Sequence, residues 1–142
     1  MRKQTEHDIY LQIADYMRYM HPDVIYRFDL AADLKLTMGQ ATKHKRLQHF
    51  RGYPDFFIAQ STPAKMDNSY KQSKYTPPYA GLFIEIKKPG TKIYKKDGTL
   101  VADAHIREQY DMLVQLSNAG YQAHFGIGFE ECKKIIDDYL AE

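Results

Sequence analysis

The chain has 142 residues, of which 44% are hydrophobic and 27% charged, a globular composition that excludes wholesale disorder and suits one domain over residues 1–142. A lone cysteine, Cys132, excludes an internal disulfide and a cysteine-rich zinc site and points to a reducing, cytoplasmic setting; no apolar run approaches a membrane span and no signal-peptide core follows Met1. The net charge of +2 conceals a partition: residues 35–96 carry 13 Lys or Arg against three Asp or Glu, while the flanking segments are net acidic, so the middle of the chain is expected to meet a phosphate-rich partner.

Residues 5–20 read as an amphipathic helix, with Ile9, Ile13, Tyr16, Met17 and Met20 at helical spacing and Thr5 and Asp8 forming a capping box. His21-Pro22 ends it, because the residue before proline disfavours helical geometry. Val24, Tyr26 and Phe28 alternate with Ile25 and Arg27, as in a half-buried strand. Residues 34–51 contain Lys35, Lys43, Lys45, Arg46 and Arg51 without a single acid, a solvated basic surface whether loop or short helix. Phe56–Ala59 is a short apolar strand, and the Ser-, Thr-, Pro- and Lys-rich residues 60–79 show no periodicity and read as an inserted loop. Gly81–Lys87 is the clearest strand. Asp97-Gly98 favours a tight hairpin between 93–94 and 99–101.

Residues 103–118 form a second helix with Ile106, Tyr110, Leu113, Val114 and Ser117 on one stripe, stopped by Gly120. A strand over 121–127 and a short helix over 129–141 complete the chain. The order predicts an α/β fold, a small mixed β-sheet flanked by helices. Gly126-Ile127-Gly128 resembles the start of a dinucleotide fingerprint, but it lacks the third glycine and leads into Glu130 and Glu131, which repel phosphate; that reading is rejected.

The three acids of the basic block are Asp55, Asp67 and Glu85. Asp55 opens one apolar strand, and Glu85 lies inside another with Lys87 two residues on, hence on the same face. Charged groups at the end of an apolar strand are costly to desolvate unless paired or coordinated. If the two strands are neighbours, two carboxylates and a lysine converge, and a divalent cation relieves the repulsion between the acids. Oxygen ligands favour Mg²⁺ or Mn²⁺. Such a set suits phosphodiester hydrolysis, with Lys43, Lys45, Arg46, Arg51, Lys88, Lys92, Lys95 and Lys96 as the expected DNA-backbone contacts.

Gly52-Tyr53-Pro54-Asp55, then Glu85-Ile86-Lys87, then Gln109 on the following helix, with Glu6 on the first, resemble the VRR-NUC (virus-type replication-repair nuclease) family of the PD-(D/E)XK superfamily. The resemblance runs from Glu6 to about Ile127. It implies a restriction-endonuclease-like core in which Asp55, Glu85 and the Ile86 carbonyl bind the metal. It further implies that Lys87 orients or activates water, that Gln109 supports the site and that Glu6 reaches it from the first helix. The family also implies homodimers that cut branched DNA such as four-way junctions, in a viral or bacterial cell. The 60–79 insert, which separates Asp55 from Glu85 by 30 residues, bears in this reading on substrate choice rather than on chemistry.

Two other readings stay open on the residues alone. One is a module of the same fold that holds a nucleic-acid structure without cutting it. The other is a structural dimer component whose insert contacts a protein. Tyr70, Tyr75 and Tyr79 are alternatives between base stacking and core or dimer packing. His44 and His49 extend the basic surface, and Arg27 and His105 face either the site or solvent.

Overall fold

The computed structural model describes residues 2–29, 34–69, 71 and 73–141. In chain order the elements are α1 (Glu6–Met20), β1 (Tyr26–Phe28), α2 (Met38–Leu47), β2 (Phe56–Ile58), β3 (Lys65–Asp67), β4 (Lys74–Thr76), β5 (Leu82–Lys87), α3 (Ala104–Asn118), β6 (Gln122–Ile127) and α4 (Gly128–Leu140).

Four strands form the main sheet in the order β1-β2-β5-β6. β1, β2 and β5 run antiparallel to one another, and β6 lies parallel to β5 after the α3 crossover. β5 is central and every residue of it is buried, as a strand covered on both faces must be. Leu82, Ile84 and Ile86 face α1 and α4, where Ile9, Ile13, Met17, Cys132 and Ile136 close the core. Full burial of each such aliphatic side chain stabilises the fold by roughly 1.5–3 kcal/mol. On the opposite face Phe57 stacks on Phe83 at 4.5 Å between centroids, and Tyr121 meets Phe83 edge-on.

The Thr5–Asp8 capping box opens α1, the Asp97-Gly98 turn closes a short bridge between Tyr94 and Leu100, and Gly120 ends α3 at a φ of 101°. The structure decides one open alternative and changes several expectations. Residues 38–47 are a helix, capped by Thr37 and Gln40, with no buried residue. The 60–79 segment contains a second small sheet, the β3–β4 hairpin, whose side chains are almost all exposed. It leaves the end of β2 and returns to the start of β5. Met20, at the last position of α1, is 62% exposed and adds nothing to the core. On α3 the buried stripe is Ile106, Gln109, Met112 and Leu113, and Tyr110, Val114 and Ser117 face outward. Tyr79 packs against the core and Tyr75 is exposed on β4; Tyr70 lies outside the described residues. Among the described residues no helix is long and apolar enough to cross a membrane.

Candidate active site

Antiparallel pairing brings the site together. β2 and β5 pair Phe56 with Ile84 and Phe57 with Phe83, so one step further Asp55 stands opposite Glu85 on the same face of the sheet. Lys87 follows two residues on, and its Nζ lies 3.8 Å from Glu85 Oε1. All three side chains are buried, with residue exposures of 4%, 3% and 7% for Asp55, Glu85 and Lys87. Gln109 replaces an apolar residue on the inner stripe of α3 and donates from Nε2 to Glu85 Oε1 at 2.8 Å. Residues Asp55, Glu85, Lys87 and Gln109, which are far apart in the chain, thus share one buried polar cluster.

Asp55 is anchored by the chain itself. Its Oδ2 accepts from the Ile86 backbone N–H at 2.8 Å. In a strand the N–H and C=O of one residue point to the same edge, so the Ile86 carbonyl is directed to the Asp55 side, where β2 has already ended. The Tyr10 hydroxyl also acts on Asp55 from α1. Gly52, at φ +75°, lets the chain before Asp55 lie against α3: a Cβ there would stand 2.8 Å from the Glu108 carbonyl oxygen. That contact holds the 49–54 loop to the helix that carries Gln109.

The electrostatics are those of two acids forced together. Burial, then the charge of Asp55, push the Glu85 carboxyl far above the ordinary carboxylate range. Burial also raises Asp55, opposed by hydrogen bonding from Glu85, Tyr10 and the Ile86 N–H and by the charge of Lys87. Glu6 is raised too, by burial first, with Lys87 and Lys88 pulling it back. Two buried side-chain oxygens, Glu85 Oε2 and Gln109 Oε1, have no hydrogen-bond partner among the described residues. The group beside Glu85 is the Asp55 carboxylate, itself an acceptor, so the pair requires a proton or a cation between them. The donor set is all oxygen: two carboxylates and a strand carbonyl. This fits a hard divalent cation such as Mg²⁺ or Mn²⁺ and not zinc. Among the described residues no group of three or more His, Cys, Asp or Glu is placed to hold a metal, and Glu6 stands at the margin of the Asp55–Glu85 pair.

The site opens into a cleft of about 760 Å³ lined by Glu6, Asp55, Glu85, Lys87 and Gln109 together with His44, Lys45, His49 and Arg51, and by two further acids, Asp29 and Glu108. Of the basic residues expected from the sequence, Lys45 and Arg51 line this cleft. Lys43 and Arg46 are exposed elsewhere on α2, and Lys88 adjoins Glu6. Lys92 borders a different cleft between α3 and β6, and Lys95 and Lys96 are exposed in the turn. His105 lines this cleft, 3.3 Å from Gln109 Nε2, and Arg27 lies exposed beside a neighbouring aromatic cleft.

No family model matches the chain, and no curated protein matches it. Among solved structures it is similar to a protein described as "VRR_NUC domain protein", with a TM-score of 0.57 and 21% identity over 99% of this chain and 91% of that one. The chain has the fold of a VRR_NUC domain protein. The VRR_NUC-like fold accounts for the mixed sheet, the flanking helices and the parallel crossover through α3. Tyr10 is the residue of this site that sequence reasoning missed. Its signal is its position, one helical turn after Glu6 and on the same face of α1.

Proposed function

We propose that this protein is a Mg²⁺- or Mn²⁺-dependent DNA endonuclease that hydrolyses phosphodiester bonds in branched DNA and works as a homodimer. The observation that carries the reading is the buried Asp55–Glu85 pair, two acids that need a shared proton or a bound cation, in a cleft that Lys45 and Arg51 also line. Asp55, Glu85 and the Ile86 carbonyl are the groups that would hold the metal, which when bound supplies charge neutralisation at a phosphoryl oxygen and acidifies water.

The remaining work falls to the chain. Lys87, held against Glu85 by a strand buried on both sides, orients the attacking water and offsets charge developing on the phosphate. Gln109 keeps Glu85 in one rotamer through its 2.8 Å hydrogen bond. Lys45 and Arg51 hold flanking phosphates, and β5 excludes bulk water from beneath the site.

The test is a panel of four-way junction, flap, single-stranded and duplex DNA, each with Mg²⁺, Mn²⁺ or EDTA. Metal-dependent nicks on branched substrates are expected, abolished in Asp55→Ala. Symmetric paired cuts would report two active sites related by a dimer axis. Wild-type rates in Asp55→Ala would sink the assignment. Binding without metal-dependent nicks on any substrate would leave a non-cleaving module of the same fold.

A further inference from the structure

Beside the catalytic cleft lies a second one of about 480 Å³, within the usual size range of small-ligand sites. The two share Asp29, Gln48, His49, Phe50 and Tyr53 along a common rim. Phe50 is 59% exposed and Tyr53 40% exposed, an unusual investment of aromatic surface in a basic loop. Neither ring is loose. Phe50 lies against His49 with ring centroids 4.2 Å apart, and Tyr53 meets Phe83 edge-on at 5.6 Å. The close approach of Gly52 to α3 fixes the loop between them. Arg27 and Gln48 add polar groups at the edge of the cleft.

We propose that this aromatic cleft is a nucleobase-binding pocket, which receives one unpaired base of the strand whose backbone runs through the catalytic cleft. The proposal rests on the nuclease reading above and narrows its substrate class to DNA with unpaired nucleotides next to the cut. Continuity of the two clefts selects the occupant. Lys45 and Arg51, which would take the phosphates, line the same cleft whose rim carries the Phe50 and Tyr53 rings. A base offers its face for stacking only when it is out of the duplex, and the preference among bases is weak because every base has such a face. Gln48 and Arg27 carry donors suited to the base edge.

The test uses the whole chain in EDTA, so that binding is read without cleavage. A single-stranded oligonucleotide carries 2-aminopurine at one position, moved along the strand in successive experiments. Stacking quenches its fluorescence, and the quench is expected at a narrow set of positions. Phe50→Ala should abolish it and weaken binding of the strand roughly 5- to 100-fold, whereas Phe50→Tyr, which keeps a ring, should retain both. Circular dichroism checks that each variant is folded. An unchanged quench and affinity in Phe50→Ala, or equal loss in Phe50→Tyr, overturns the pocket. Position-specific quenching on a protein that never nicks DNA in Mn²⁺ would defeat the nuclease reading and leave the pocket standing. Nicking without any quench would do the reverse, and a failure to bind the strand at all overturns the pocket.

Discussion

Glu85→Gln isolates the electrostatic frustration of the site. The substitution keeps the shape of the side chain and its place beside Gln109 but removes the charge that opposes Asp55. In the folded, metal-free protein Glu85 stays protonated at neutral pH, whereas in the unfolded chain it ionises near its ordinary value of 4.5. Folding at pH 7 therefore takes up a proton across 2.5 pH units, and at 1.36 kcal/mol per unit this costs about 3 kcal/mol. The sign follows from a folded pKa that is raised. The stability is present in full below pH 4.5 and is lost as pH climbs towards the folded value. Glutamine titrates nowhere in this range. Urea or thermal unfolding in EDTA should thus show Glu85→Gln more stable than wild type at pH 7, by up to about 3 kcal/mol or roughly 10 °C in Tm, and the gap should close by pH 4.5. Mg²⁺ or Mn²⁺ should raise the wild-type Tm and leave the variant nearly unmoved, since a ligand stabilises only the form that binds it. A variant that is no more stable at pH 7, or a gap that does not depend on pH, would refute the reasoning.

Lys87→Met keeps the buried stem and loses the ammonium; it should reduce the single-turnover cleavage rate at least about 100-fold with little change in Kd for DNA. Gly52→Ala forces a side chain onto a φ of +75° against the α3 backbone, and should destabilise the fold by about 1–3 kcal/mol while also lowering activity by displacing Gln109. Ile84→Ala, in the fully buried strand, should cost about 2–5 kcal/mol in urea unfolding. Charge neutralisation of Lys45 and Arg51 should reduce the slope of log K against log salt by about 2, whereas Lys92 and Lys96 changed together should leave it near its starting value. The opposite pattern would move the DNA to the α3–β6 face.

The central strand and its acids were legible because β5 is a dense apolar run, in which one carboxylate and one lysine stand out. Asp55 was legible because it opens the only other short apolar run of that region. α2 gave no periodic signal for a physical reason: it buries nothing, so its apolar residues have no face to repeat on. Its Thr37–Gln40 capping pattern was the readable trace. The β3–β4 hairpin is hidden for the same cause. On α3, apolar periodicity shifted the stripe to Tyr110 and Val114 because the residue that belongs on the inner face, Gln109, is polar. Functional residues buried in place of apolar ones are the places where such patterns mislead. Tyr10 contributes to the site through its hydroxyl, a contact that spacing alone does not specify.

The β2–β5 pairing has a consequence for the segment between them. Because the strands are antiparallel, Asp55 and Glu85 meet at one end of the sheet, and the chain joining them departs from and returns to the other. Twenty-nine residues therefore intervene without lengthening the distance across which the two acids meet. The β3–β4 hairpin is therefore joined to the end of the sheet remote from Asp55 and Glu85. It is accordingly a natural attachment point. A fluorophore, an affinity tag or a surface linker placed there should leave the Asp55–Glu85 end of the sheet undisturbed.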